Sequence, residues 1–253
     1  MNAEHFLPPT RTLLGPGPSD VAPSVLEVMS RPLVGHLDPA FISMMEEIKA
    51  MLRAVMLTEN EMTFPVSGTG SAGMEFCFVN LIEPGDEVVI GINGVFGTRM
   101  AEVAARCGAN VTKVEAEWGR IIEPAAIADA VDSKSPKLVA IVHAETSTGA
   151  LTPIEEISQI VHDSGALLLL DTVTSLGGCP VRVDDWRVDA LYSGPKNASA
   201  ARRGFRRSPS ARPPWPPSLR VKRPSKVGTS TLISSPIIGA KVPARIITPR
   251  PSL

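Results

Sequence analysis

Three short runs in this 253-residue chain carry residue types that could do chemistry together. The first is Ser67-Gly68-Thr69-Gly70-Ser71-Ala72-Gly73, which follows an extended run and opens a helical one. Small residues let the backbone approach a phosphate closely, and the first N–H groups of a helix point at it. The glycines at 68, 70 and 73 also fit a dinucleotide fingerprint, which expects an acid about twenty residues further on. That place holds Asn93, with no acid close beside it. A merely tight turn is the third reading.

The second run centres on Asp171, directly after four leucines and before Thr172-Val173-Thr174-Ser175. A carboxylate closing a buried strand is costly unless it is paired. A protonated ring nitrogen would be one cationic partner; an Asp capping the next turn is the plainer alternative. The third run is His143-Ala144-Glu145-Thr146-Ser147-Thr148-Gly149. Its hydroxyls could contact a ligand or cap a turn.

These runs need elements that bring them together. Apolar residues at 41, 44, 45, 48, 51, 52 and 55 follow the spacing of one helix face, which predicts a helix over 39–57. Methionines 44, 45 and 51 read as core or interface packing. Strands are predicted at 62–66, 87–92, 138–143, 166–171 and 190–193, with helices at 72–81, 98–107, 124–131 and 154–164. Pro124 and Pro153 sit where a helix start loses nothing by lacking an N–H. A strand that is apolar almost throughout must be covered on both faces. The expected fold is therefore α/β, with a mostly parallel sheet flanked by helices. Ligands of such sheets gather at the carboxyl ends of the strands, where all three runs fall. His5 and His162 read as exposed, and His143 as a strand-end residue without a chemical role.

Hydrophobic residues make up 43% and charged residues 20% of the chain, which excludes a disordered polar protein. The apolar runs are too short to span a bilayer, and no secretory signal stands at the N-terminus. Three cysteines without close spacing argue against a disulfide framework or a zinc site, so a cytoplasmic, reducing location is expected. The net charge of −1 hides a split: residues 1–196 hold 13 basic and 26 acidic side chains, whereas residues 197–253 hold 12 basic and none acidic. Ten of the 24 prolines lie in that tail.

Taken together, the runs resemble class V pyridoxal-phosphate (PLP) aminotransferases of the alanine–glyoxylate / serine–pyruvate group. The resemblance begins at Leu13-Leu14-Gly15-Pro16-Gly17-Pro18-Ser19 and Gly35-His36, and passes through Ser67-Gly68-Thr69-Gly70 and Glu83-Pro84-Gly85-Asp86. It continues through Asn93-Gly94-Val95-Phe96-Gly97, Glu145-Thr146-Ser147-Thr148-Gly149 and residues 171–178 to Tyr192-Ser193-Gly194-Pro195. It implies the large domain of PLP-dependent transferase fold type I, with the small C-terminal domain missing. Thr69, Gly70 and Ser71 would lie in the phosphate cradle, and Phe96 would stack on the cofactor ring. Thr146 would hydrogen-bond the phenolic oxygen of PLP, and Val173 would pack on the ring face opposite Phe96. Asp171 would pair with the pyridinium nitrogen and keep it protonated, so that the ring can accept carbanion electrons. The implied activity is transamination between alanine or serine and glyoxylate or pyruvate. The implied partners are small amino-acid and 2-oxo-acid substrates and a second copy in a homodimer, with no membrane.

The pattern breaks at Lys196. Relatives continue Ser-Gly-(Pro/Ser/Thr)-Gln-Lys, whose lysine forms the Schiff base with PLP. Here Lys196 falls one position early, and Asn197 sits where the lysine belongs. A one-nucleotide slip explains this. Restoring a C ahead of AAA AAT GCC yields Gln-Lys-Cys in place of Lys196-Asn197-Ala198. The same shift turns residues 202–206 into Pro-Pro-Gly-Leu-Ser, 228–232 into Trp-Tyr-Leu-Asp-Leu, and 246–251 into Tyr-His-His-Thr-Ala-Pro, all resembling family motifs in order. The expected organisation is an N-terminal extension (1–20), an incomplete PLP-binding large domain (21–195) and a basic Pro/Arg/Ser-rich tail (196–253), out of frame and disordered. Lys196 is the displaced candidate for the catalytic lysine, so this chain is expected to be inactive or impaired. Three rivals stay open: a catalytically dead PLP-binding or dimerising remnant, a nicotinamide-binding oxidoreductase, and a nucleic-acid binder acting through the tail's arginines.

Overall fold

The strand Leu167–Asp171 reads Leu-Leu-Leu-Leu-Asp, so both of its faces need a cover. In the computed structural model, which describes residues 9, 11–195 and, as backbone, 237–240, both faces receive one. Successive side chains of a strand point to opposite faces. Val89, Val139, Ile141, Leu168, Leu170 and Leu191 join one buried cluster, and Val88, Ile90, Leu138, Ala140, Leu169 and Tyr192 join the other.

The strands are β1 (Thr63–Pro65), β2 (Glu87–Ile92), β3 (Asn110–Glu115), β4 (Leu138–Val142), β5 (Leu167–Asp171), β6 (Ala190–Ser193) and β7 (Ile237–Ala240). They form one sheet in the order β1-β7-β6-β5-β4-β2-β3. Strands β2 to β6 are mutually parallel, and β7 runs antiparallel to both of its neighbours.

The helices are α1 (Pro23–Met29), α2 (Pro39–Met56), α3 (Gly70–Leu81), α4 (Val95–Arg106), α5 (Pro124–Lys134) and α6 (Ile154–Asp163). Ile127 and Val131 of α5 and Ile154, Ile157 and Val161 of α6 cover one face of the sheet. Met74, Cys77, Phe78 and Leu81 of α3 and Met100, Ala101, Val103 and Ala104 of α4 cover the other. Prolines at the first position of α2 and α5 give up an N–H that would have no helical partner. Asp38 caps α2 by accepting from the Ala40 N–H at 2.8 Å. Among the described residues, no helix is long and apolar enough to cross a membrane.

Several expectations change. Helices α3 and α4 begin at Gly70 and Val95, two and three residues earlier than the apolar spacing indicated, because small and cap residues carry no hydrophobic period. Strand β3 and helix α1 were not expected. The former is an exposed edge strand written Asn-Val-Thr-Lys-Val-Glu, and the latter buries no residue. His162 is not exposed. Its Nε2 lies 2.9 Å from Asp189, whose Oδ2 also accepts the Leu168 N–H, so the ring ties α6 to β5. Met44 and Met51 are 39% and 42% exposed, which removes the core half of the expectation of core or interface packing. Within the tail, β7 inserts between β1 and β6, a strand that an expectation of disorder did not include; Lys196 lies outside the described residues.

Candidate active site

The carboxyl ends of β4, β5 and β6 and the first turns of α3 and α4 converge on one cleft of about 200 Å³. Thr69, Gly70, Ser71, Phe96, Thr146, Asp171 and Val173 all line it, so the seven cofactor-contact positions expected from sequence are brought together. Pro16, Gly17, Met74 and Tyr192 line it too, and sequence reasoning gave them no role. Two signals were available: Pro16 and Gly17 stand in the first run of the resemblance, and Tyr192 in the last.

At one end of the cleft, α3 starts without a side-chain cap. The Thr69 carbonyl accepts the Ala72 and Gly73 N–H groups, while those of Gly70 and Ser71 make no hydrogen bond among the described residues. An uncapped first turn carries partial positive charge and free donors, which suits an anion. Gly70 is needed for space, since a Cβ built there would stand 2.9 Å from Val173 Cγ2.

At the other end Asp171 is buried, and no cation pairs with it among the described residues. Its Oδ1 accepts the Val173 N–H at 2.9 Å and its Oδ2 accepts the Tyr192 hydroxyl at 2.8 Å. Burial pushes the Asp171 carboxyl up to about 6, the hydrogen bonds from Val173 and Tyr192 pull it down, and the charge of Glu145 adds to the rise. Such a group gains from a cation placed against it. Between the two ends stand Phe96 and Val173, and the Thr146 hydroxyl hydrogen-bonds that of Thr174.

The wall carrying Phe96 is held by the third run. Glu145 Oε2 accepts the N–H groups of Phe96 and Gly97 at 3.1 and 3.3 Å, and Oε1 accepts the N–H and hydroxyl of Ser147. The Ser147 Oγ accepts the Val95 N–H at 3.0 Å. Gly94 leaves room for this, because a Cβ there would lie 2.4 Å from Glu145 Cγ.

The remaining candidates fall elsewhere. Asn93 directly follows β2, and its Nδ2 donates to the Arg120 carbonyl, so the acid of a dinucleotide site is replaced by a residue engaged with a loop. His143 is buried with its Nδ1 unpartnered and its ring edge-on to Trp186, outside the cleft. Cys77 is buried on α3 outside the cleft lining, and burial pushes its thiol up to about 12, which removes it as a nucleophile at neutral pH. No group of three metal-ligating side chains occurs among the described residues.

An open helix start and a buried carboxylate without a cationic partner among the described residues, lining one small cleft of an α/β fold, form a charge pattern that suits a phosphorylated aromatic cofactor. The Aminotransferase class-V family model matches residues 22–201, and the chain belongs to that family. It is 45% identical over 186 residues to (S)-ureidoglycine–glyoxylate transaminase of Bacillus subtilis, covering 74% of this chain and 45% of that protein. It is 41% identical over 187 residues to alanine–glyoxylate aminotransferase of Drosophila melanogaster, covering 74% and 48%. The crystal structure of an alanine–glyoxylate aminotransferase from Nostoc sp. superimposes with a TM-score of 0.76 at 47% identity, covering 78% of this chain and 52% of that one. The chain thus spans about half the length of the curated relatives it matches. The family implies pyridoxal phosphate, and the charge pattern of the cleft fits it.

Proposed function

We propose that this chain holds pyridoxal phosphate in the cleft, and that its lineage transfers an amino group from alanine or serine to glyoxylate or pyruvate. The observation that carries the reading is Asp171, a buried carboxylate without a cationic partner among the described residues, lining the same small cleft as the open start of α3. A ring with a protonated nitrogen at one end and a phosphate at the other satisfies both. A nicotinamide dinucleotide does not, because Asn93 replaces the acid its ribose needs.

When bound, the cofactor supplies an electron-accepting ring that eases loss of the amino acid's α-proton. The protein's share is placement. The Gly70 and Ser71 N–H groups and the Thr69 and Ser71 hydroxyls would hold the phosphate. Phe96 and Val173 would pack on the ring and keep water off it, Thr146 would hydrogen-bond its hydroxyl edge, and Asp171 would keep the proton on the ring nitrogen. The proton-moving lysine expected two positions after Pro195 is replaced by Asn197. Gly194 lies beside the cleft, since a Cβ there would stand 3.9 Å from Gly70 and Val173. A one-position error at the lysine is therefore an error at the reacting atoms, where precise placement dominates.

This reading makes the chain as written a PLP binder with little or no turnover, its reading frame changed at about codon 196. Two observations support the frame change: the family model's match stops at residue 201, six residues past Pro195, and no acidic residue follows Asp189. A cytoplasmic homodimer belongs to the same proposal. Its supports are the uncrosslinked thiols of all three cysteines and the exposed Leu14, Met29, Leu33 and Leu37.

The test compares the purified chain with a version carrying one nucleotide inserted ahead of codon 196. Both should bind PLP, and only the second should turn over alanine and glyoxylate. Turnover by the chain as written, abolished by Lys196→Ala, would refute the inactivity. Absence of PLP binding by either would refute the site.

A further inference from the structure

We infer that Glu145 is a positioning residue that sets the Phe96 wall of the cleft from the Thr146 side. A helix start leaves its first N–H groups without helical partners. In α4 those groups belong to Val95, Phe96 and Gly97, and the cap residue is Gly94, which has no side chain to offer. All three are satisfied from the loop after β4: Val95 by the Ser147 hydroxyl, and Phe96 and Gly97 by Glu145 Oε2. The second oxygen of Glu145 is held by the N–H and hydroxyl of Ser147 at 3.1 and 2.7 Å. The carboxylate therefore accepts four hydrogen bonds and is 1% exposed.

This arrangement joins two walls of the site through one side chain. Glu145 directly precedes Thr146, which lines the cleft, and its Oε2 accepts the backbone N–H of Phe96, which lines it too. It also closes one helix start while leaving the neighbouring one open. The donors at α4 are used by the protein, and those at α3 face the cleft. An anion in the cleft thus meets a single free helix end.

The inference rests on the cleft holding pyridoxal phosphate, and its test has one arm that needs no cofactor. Glu145→Gln keeps the shape but places an amide NH2 against two of the four donors, and Glu145→Asp withdraws the carboxylate from α4. In the full chain without cofactor, amide hydrogen exchange at Phe96 and Gly97 should quicken about tenfold or more in both variants, as loss of a charge-assisted bond implies. Amides of β4 and β5 should stay as protected as before.

In the second arm, PLP affinity measured by absorbance should fall about tenfold in Glu145→Gln and be nearly unaffected by that change in a Phe96→Ala background. A purely structural role would lower the melting temperature and leave the affinity and its dependence on Phe96 unmoved. Unchanged exchange at Phe96 and Gly97 in both variants would overturn the inference, as would an equal affinity loss with and without the Phe96 ring. Failure of the unmutated chain to bind PLP would sink the proposed function, and the exchange rates would still decide the role of Glu145.

Discussion

The Tyr192 hydroxyl donates to Asp171 Oδ2 at 2.8 Å across the parallel pair β5–β6, in which the two residues are register partners. Tyr192 is the single tyrosine of the chain and is fully buried. Burial, with the charge of Asp171 added, raises its phenol well above the ordinary value, so it stays a donor at any working pH. With the Val173 N–H on Oδ1, each oxygen of Asp171 is anchored by one bond, and the carboxylate is oriented before any ligand arrives.

Replacing Tyr192 with Phe removes that anchor at nearly constant volume. PLP affinity, measured by absorbance titration, should weaken about tenfold or more, the value of one hydrogen bond to a charged group. The cofactor-free protein should also melt somewhat lower, because one oxygen of the buried carboxylate loses its partner. In the unmutated protein, alkaline titration should reveal no tyrosinate absorbance until the fold is lost; a transition near pH 10 in folded protein would contradict the burial of the phenol.

Acid–base stability separates two buried groups. Asp171 rises from 3.8 to about 6, so between those values the folded protein binds a proton that the unfolded chain releases. Its contribution is therefore most favourable at low pH and is lost as pH rises to about 6, by up to about 3 kcal/mol. Asp171→Asn should make the cofactor-free protein more stable at pH 7.5 and alter it little near pH 4, while weakening PLP binding. Urea unfolding across that range measures the difference, and a variant less stable than the parent at pH 7.5 would count against it.

His143 pulls the other way. Burial lowers its ring from 6.5 to about 4, so the unfolded chain takes up the proton first and stability falls as pH drops through that interval. The two slopes oppose each other in the parent protein. In Asp171→Asn the His143 slope should emerge as a loss of up to about 3 kcal/mol on acidification. Adding His143→Asn should flatten it. A profile as steep after the second change would mean that another group titrates there.

Gly70→Ala tests the close approach of α3 to the Val173 wall. The added methyl meets Val173 Cγ2 at 2.9 Å, and overpacking of this kind costs about 1–3 kcal/mol. PLP affinity should fall and recover in part when Val173→Ala opens the space. Strictly additive losses would show that the two positions do not share it.

Much of this site was legible because its residues stand at element ends in runs that are distinctive in type as well as in spacing. The Thr69–Ser71 turn, Thr146 and Asp171 each follow an apolar strand, and parallel strands deliver their ends to one edge of the sheet. Tyr192 was hidden for the opposite reason. It lies inside an apolar strand, where its ring reads as core, and only the register with Asp171 gives its hydroxyl a task. The cap role of Glu145 was equally unreadable, since it joins residues 145 and 96 through tertiary contact. In the fold, β3 was missed because an edge strand needs little apolar surface. His162 was misplaced because its partner Asp189 is distant in sequence.

Strand β1 touches the rest of the sheet only through β7, where Gly239 stands between Thr63 on one side and Leu191 on the other. The ribosome makes residues 237–240 after every other strand in this sheet, so a growing chain cannot seat β1 against β7 until residue 240 has emerged. The turn proposed to hold the phosphate follows closely on β1. Synthesis order therefore delays the pairing of β1, the earliest strand made, until the latest one is in place.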